Sequence, residues 1–350
     1  MKKTVLLFGM MIALFTSTYA KIWRVNNNAG ITADFATLAA AHASASVVNG
    51  DTLHIEPSAT SYQAGATITK SLVYIGIGYF LDPANTTAPA NTGLQVSTVT
   101  SDIGFLRLGA GSDGSKFIGI TFDGSIYVNG VSNLTFEKDY FPSGLYFESG
   151  TNNNATVRKC IFINSNQINA HATNAVMTNF VCENNLFFNS AFVNLPILTG
   201  SGNIFRNNSA SGFNGFTLAN TYVANNIFGT TGVSAFTNCT IKNNLFQVNQ
   251  TLPGSATNNQ LNVNMANVYV GGNSSSYDSR FILKAGSPAI AAGLTIGSVV
   301  SPDCGAFGAT DPYKLSGIPG IPSIYTLNVP VSIPSGSATM NVTFSTRNNN

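Results

Sequence analysis

Five charged side chains could do chemistry in a chain of which only 9% is Asp, Glu, Lys or Arg. Glu137, Arg158 and Glu183 follow one another at intervals of 21 and 25 residues, and Lys138 and Lys159 stand directly after the first two. A Lys or Arg base beside carboxylates is the set of groups that a lyase needs for proton abstraction. Opposite charges that alternate at a regular interval are also typical of a surface ion-pair ladder, and we favour that interpretation over catalysis.

Both interpretations require a fold that stacks these intervals, and the sequence predicts one. Variants of the phrase "CTIKNNLF" recur along the chain and end in a Phe, which we call position zero. The phrases end at Phe122, Phe141, Phe162, Phe187, Phe205, Phe228 and Phe246. A period near twenty residues with variable insertions is typical of a solenoid, in which each unit buries its apolar face against the next unit.

Positions within the repeat keep their character. Positions −7 and −5 are apolar and alternate with polar residues, which predicts the inward side of a short strand. Position −4 faces outward and holds Glu137, Arg158, Glu183, Ser201, Ala224 and Lys242. Position −3 holds Lys138, Lys159, Asn184, Gly202 and Asn225. Position −2 holds Asp139, Cys160, Asn185, Asn203, Asn226 and Asn244, and there we expect a bend with unusual backbone angles and a column of hydrogen-bonded Asn side chains.

The chain resembles the right-handed parallel β-helix, or pectate-lyase-like, superfamily of secreted bacterial proteins. The resemblance rests on "FATLAAAHASASVVNGDTLHIEPSATSY" near the N-terminus, on "ITKSLVYIGIGY", and on "ILKAGSPAIAAG" followed by "PDCGAFG". It implies an all-β, single-stranded right-handed parallel β-helix. A short helix at about 34–45 would cap its open end, and "GDTLHIEPS" would be its first strand. The superfamily hosts lyases, hydrolases, esterases, epimerases and non-enzymatic adhesins, so the resemblance fixes no activity.

The sequence divides into three regions. Residues 1–20 have the basic start, apolar run and small residues of a secretory signal peptide, with cleavage expected after Ala20. Residues 21–312 are predicted to form the β-helix, and no transmembrane segment is expected once the signal peptide is removed. Residues 313–350 are rich in Pro, Gly and Ser, and two alternating segments predict a small β tail or cap. We therefore expect a secreted protein or one on the outer cell surface.

The remaining candidate groups are sparse. Tyr127, Tyr140 and Tyr146 are predicted as a small platform for a polysaccharide or cell-surface glycan, as an alternative to simple packing. A net charge of +2 gives no reason to expect nucleic acid. The sequence predicts no metal site and no cofactor, although Asp113 and Asp123 in turn-like segments could bind calcium. His42, His54 and His171 are scattered. The four cysteines, Cys160, Cys182, Cys239 and Cys304, match no metal motif, and most are expected in the core.

Two functions remain open at this point. We favour a structural, adhesive or glycan-contacting β-helix without a catalytic site, because the chain has few charged residues and no evident acid pair. The alternative is a polysaccharide lyase that acts on an acidic glycan. Lyases of the resembled superfamily neutralise a uronate with carboxylates, often with calcium, and remove the neighbouring proton with Lys or Arg. Glu137, Lys138, Arg158, Lys159 and Glu183 would carry that reaction.

Overall fold

The chain folds into a parallel β-solenoid with three sheets. The computed structural model describes residues 20–82, 97–163, 168–170, 174–189, 192–273 and 275–348. Residues 1–19 of the predicted signal peptide, and His171, lie outside these ranges. Each full turn contributes one short strand to each sheet, so the predicted all-β solenoid is confirmed.

The 28 strands of the described residues are numbered in chain order. Sheet A consists of β1 (Ile22–Val25), β2 (Thr52–Ile55), β3 (Val73–Ile75), β6 (Lys116–Ile118), β9 (Thr135–Glu137), β12 (Thr156–Arg158), β16 (Val181–Glu183), β19 (Asn203–Arg206), β22 (Thr221–Ala224) and β25 (Thr240–Lys242). Sheet B consists of β4 (Asp102–Ile103), β7 (Thr121–Phe122), β10 (Tyr140–Phe141), β13 (Ile161–Ile163), β17 (Leu186–Phe188), β20 (Ser209–Phe213), β23 (Ile227–Thr230) and β26 (Leu245–Phe246). Sheet C consists of β5 (Leu106–Leu108), β8 (Ile126–Asn129), β11 (Leu145–Thr151), β14 (Ile168–Ala170), β18 (Phe192–Leu195), β21 (Gly215–Ala219) and β24 (Ala235–Thr237), while β15 (Ala175–Val176) pairs with β11. Strands β27 (Ser323–Asn328) and β28 (Thr343–Arg347) form a separate antiparallel pair.

Position −3 makes the sharp bend between sheets A and B. Lys138, Lys159, Asn184 and their equivalents on later turns have φ between 52° and 57°, in the left-handed region. Asn tolerates this region better than most residues, which explains why it recurs there. The prediction that position −2 carries the unusual backbone angles was therefore wrong, because the bend lies one residue earlier.

Position −2 carries the other predicted feature, the Asn column. From Asn208 onward, each Asn side-chain oxygen accepts from both the backbone N–H and the side-chain amide of the Asn on the turn before it, as Asn244 does from Asn226 at 2.9 Å. The column joins Asn185, Asn208, Asn226, Asn244 and Asn259. It therefore satisfies polar groups inside the bend that the surrounding apolar core could not.

One turn is out of the register that the sequence suggested. Phe205 pairs with Cys182 and Val223 in sheet A, so it stands at position −5, and position zero on this turn is Ala210. Phe205 and Phe216 together fill the space that the missing ring would have occupied, since both rings pack against Phe187. As a result, the predicted places of Ser201, Gly202 and Asn203 in the repeat were wrong. Arg206, Asn207 and Asn208 occupy positions −4, −3 and −2 instead.

The N-terminal end of the solenoid is capped by one short helix, α1 (Leu38–Ala43). It is shorter than the predicted helix, and it begins where the Thr37 side chain accepts a hydrogen bond from the Ala40 N–H. Leu38 and Ala41 are buried in the main core, so the helix covers the open end as expected. The first strand is β1 rather than the predicted "GDTLHIEPS", because Ile22–Val25 adds in parallel to the outer side of β2.

The segment after β26 turns back along the solenoid. We call residues 263–318 the return segment. It contains three 3₁₀ turns, Met265–Asn267, Tyr277–Phe281 and Leu315–Gly317. Its apolar residues and the outer face of sheet B form a second hydrophobic core. Side chains at position −3 hold it in place, since Asn243 donates to the Ala292 carbonyl and Asn184 to the Ala306 carbonyl.

The return segment contains a buried acid. Asp278 is fully buried, and its carboxylate accepts from the Ser316 N–H at 2.6 Å and the Tyr313 hydroxyl at 3.3 Å. The Tyr313 hydroxyl in turn lies 2.6 Å from that of Tyr79 in the solenoid. Burial raises the pKa of Asp278 to about 6, although the backbone hydrogen bonds from Ser316 and Ser279 oppose the rise.

We expect Asp278 to make stability depend on pH. Its folded-state pKa exceeds the unfolded value, near 3.9, so the folded protein binds more protons between about pH 4 and pH 6. The free energy of unfolding should therefore fall by roughly 3 kcal/mol across this window as pH rises. Urea unfolding at several pH values would measure how the free energy of unfolding changes with pH. Asp278→Asn should make this change smaller. An unchanged slope in the variant would contradict this assignment.

Candidate functional site

Three of the five candidate charges lie on the outer face of sheet A, and Lys138 and Lys159 lie in the bend that follows it. Glu137, Arg158 and Glu183 are directly aligned on neighbouring strands, as the repeat predicted. Arg206, which the misread register had hidden, continues the row. We call these four residues the charge ladder. Arg158 Nη2 lies 2.7 Å from Glu137 Oε2, and Arg206 Nη2 lies 2.8 Å from Glu183 Oε2. The charge ladder therefore consists of two salt-bridged pairs on neighbouring strands.

The two lysines bind the return segment through a salt bridge and a hydrogen bond. Lys159 Nζ lies 2.5 Å from Asp311 Oδ1 and 3.7 Å from Glu137 Oε1. Lys138 is buried, and its Nζ donates to the Ile318 carbonyl at 3.1 Å. Burial lowers the pKa of Lys138, although the nearby Glu137 charge opposes this. Both amines therefore attach the return segment to the bend, and Lys138 is covered by the contact that it makes.

A second group of side chains lies on the outer face of sheet C. We call it the sheet C strip, and it consists of Arg107, Tyr127, Tyr146, Asn169, Asn194 and Thr217, aligned on successive strands. The rings of Tyr127 and Tyr146 stack with centroids 5.2 Å apart and planes at 18°. Farther along, the Asn194 amide donates to Asn169 Oδ1 at 3.2 Å. The sheet C strip is thus aromatic at one end and amide-rich in the middle.

The aromatic end of the strip borders a shallow cavity. Phe105 is half exposed, and its ring lies 5.3 Å from the Tyr127 ring. The Arg107 guanidinium carbon lies 4.9 Å from the Tyr127 centroid, and Arg107 Nη1 is 2.6 Å from Glu148 Oε2. Phe105, Arg107 and the backbone at 63–67 line a cavity of about 340 Å³. Sequence reasoning missed Phe105, which stands directly before β5 and two residues before Arg107.

Tyr140 lies apart from the other two predicted tyrosines. It is on the outer face of sheet B, where its ring packs 5.4 Å from that of Tyr79 and 5.0 Å from that of Phe80. Burial raises the pKa of Tyr140, as expected for a ring in the second core. The structure therefore brings together Tyr127, Tyr146 and Phe105, and it leaves Tyr140 under the return segment.

The other candidate groups occupy separate places. The His42 Nε2 lies 2.9 Å from the Tyr74 hydroxyl, Asp113 accepts from the Ser132 N–H, and Asp123 accepts from the Ser61 hydroxyl. All four cysteines are buried free thiols, and desolvation raises the pKa of each. No group of three or more His, Cys, Asp or Glu in the described ranges could hold a metal ion.

Comparisons with known proteins add no family. No protein-family model matches the chain, and no curated protein matches it significantly. The structure itself establishes the parallel β-solenoid. Because no family model matches, membership of the pectate-lyase-like superfamily stays a prediction. Within the part of the chain that the structure describes, no helix is both long and apolar enough to cross a membrane.

Proposed function

We propose that this protein is a non-catalytic, secreted or cell-surface solenoid that binds a neutral polysaccharide along the sheet C strip. The observation that carries the proposal is the stacked pair of half-exposed rings, Tyr127 and Tyr146, beside the exposed ring of Phe105. Rings of this kind offer large, rigid apolar area at low conformational cost, and the Tyr hydroxyl adds a polar end. The exposed Phe105 ring offers apolar area to the C–H side of a pyranose, and the two stacked tyrosines add ring edges and hydroxyl groups beside it.

The polar side chains of the strip favour a neutral ligand. Arg107 and Glu148 neutralise each other at the aromatic end, and the next members along the axis are Asn169, Asn194 and Thr217. Amides and hydroxyls both donate and accept, which suits sugar hydroxyls. An acidic glycan would instead require cations that are not already paired, and Arg107 is paired.

The fold also suggests an orientation for the ligand. Neighbouring strands are about 4.8 Å apart, so six aligned residues span roughly 24 Å along the solenoid axis. An extended glycan that lies parallel to the axis would place successive sugars over successive strands. Each sugar of the ligand would then make a similar contact with one strand. Several weak contacts of this kind together give a higher affinity than any one of them alone.

We expect Tyr127→Ala and Tyr146→Ala each to weaken binding to a soluble neutral glycan by about tenfold, since base- or sugar-sized stacking contacts are worth about 1–3 kcal/mol. Affinity electrophoresis in gels that contain galactomannan, xylan or mixed-linkage glucan measures this. Tyr222→Ala is the matched control, because Tyr222 is a half-exposed tyrosine on the outer face of sheet A. Equal retardation of all three variants, or no retardation of the wild type by any neutral glycan, would contradict the proposal.

The alternative function is a lyase. It is supported by Arg158 and Lys159, which both lie within salt-bridge distance of Glu137. Incubation with polygalacturonate, alginate or chondroitin, followed by the absorbance of the unsaturated product, tests it directly. We expect no product. Product formation that disappears in Arg158→Ala would establish the lyase and overturn the non-catalytic proposal.

A further inference from the structure

The C-terminal hairpin, formed by β27 and β28, has one apolar face. Leu327 pairs directly with Phe344, and Ile324 pairs with Thr346, with one extra residue in β27 between these pairs. The exposed fractions are 61% for Phe344, 46% for Leu327 and 44% for Ile324. The opposite face carries Thr, Ser and Asn side chains. This alternation is the pattern of a sheet with one buried face, and yet the apolar face is exposed to solvent.

A hairpin of two strands gains little stability by itself. Such pairs are marginal in water unless their apolar face packs against another element. Natural proteins usually protect exposed strand edges with charged residues. Here Arg347 is the single charged residue between positions 323 and 348. The hairpin therefore has little charge to discourage association.

An apolar groove of about 350 Å³ adjoins the hairpin. His54 and Ile77 from the solenoid line one side, and Ile318, Ile321, Ile324 and Leu327 line the other. Nε2 of His54 is buried without a hydrogen-bond partner among the described residues. Burial lowers the pKa of His54, so the imidazole is neutral near pH 7 and adds no charge to the groove. Leu327 belongs to both the groove and the apolar face, so the two surfaces are continuous.

We propose that two copies of this chain associate through the hairpins, with Phe344 of each copy in the groove of the other. An exposed aromatic side chain and an apolar groove on the same surface are self-complementary, as a two-fold interface requires. Because Leu327 pairs with Phe344 and also lines the groove, the aromatic ring and the groove are neighbours, as a compact two-fold interface requires. Apart from Arg347 at the end of β28, the hairpin and the residues that line the groove carry no charged side chain near pH 7, so little charge repulsion opposes association.

Sedimentation velocity over a range of concentrations tests the proposal on protein purified after expression of the complete chain. We expect a dimer with a micromolar dissociation constant, which is typical of a small interface. Phe344→Ser should raise this constant at least tenfold. Ile77→Glu changes the groove without altering the hairpin and should have the same effect. Val300→Ser removes an even more exposed aliphatic side chain outside both surfaces and should leave the constant within about twofold.

Three results would overturn the proposal. The first is a wild-type monomer throughout the micromolar range. The second is a dimer whose dissociation constant is unchanged by either Phe344→Ser or Ile77→Glu. The third is assembly into open chains of growing length, which would show that the contact does not close about a two-fold axis.

Discussion

Asn226→Ala is expected to lower the free energy of unfolding by about 3–5 kcal/mol. Asn226 Oδ1 accepts from the backbone N–H and the side-chain amide of Asn208, at 2.9 and 3.0 Å. The Asn226 amide donates to the Phe205 carbonyl and to Asn244 Oδ1, each at 2.9 Å. Alanine would remove all four bonds inside a fully buried bend, and each orphaned polar group costs about 1–3 kcal/mol.

Urea unfolding followed by circular dichroism measures this loss. Asn226 does not have a positive φ, so alanine introduces no backbone strain and the change reports on the side chain. Asn259→Ala is the control, because Asn259 is the half-buried last member of the column and water can reach its partners. We expect it to cost about 1 kcal/mol. Equal losses in the two variants would show that the column adds nothing beyond single hydrogen bonds.

Phe205→Ala is expected to cost about 5 kcal/mol, at the upper end of the range for Phe-to-Ala changes in cores. Phe205 lies between Phe187 and Phe228, with ring centroids 6.1 and 6.2 Å away, and makes an edge contact with Phe216 at 5.4 Å. The same turn already has the small side chain of Ala210 at position zero. The cavity could therefore not be filled from position zero of the same turn.

A double variant tests this explanation more sharply than the single one. Ala210→Phe alone should overpack the core and cost about 1–3 kcal/mol. Combined with Phe205→Ala, it should restore part of the lost stability, because a ring at position 210 would continue the stack from Phe187 to Phe228. Strictly additive losses in thermal and urea unfolding would mean that the two positions do not share one space.

The repeat could be predicted because its signals are local. Buried strand residues, the Asn column and the outward charges recur at similar positions, so a solenoid follows from their spacing. The error at Phe205 arose because "NIF" resembles the end of a repeat. The Asn207–Asn208 pair, which matches Asn184–Asn185 and Asn225–Asn226, was the more reliable marker. It was overlooked because Ser209 and Ala210 replace the usual apolar pair.

The surroundings of the candidate site could not be predicted in the same way. Lys159 contacts Asp311, which lies 152 residues later in the chain. No periodic pattern includes Asp311, since the return segment has no repeat of its own. The burial of Lys138 and Tyr140 depends on the same segment. Contacts between a regular stack and an irregular covering segment are decided by shape in three dimensions, so the sequence showed the residues without showing what covers them.

The return segment has a consequence for cooperativity. A solenoid whose turns contact only their neighbours behaves as a one-dimensional array and can fray from either end. Here Tyr79 near the start of the stack meets Tyr313, 234 residues later, while Asn243 near its end is also held by the return segment. These contacts couple early and late turns into one unit with high contact order. We therefore expect the molecule to fold slowly, after the return segment is available, and to unfold as one unit rather than turn by turn.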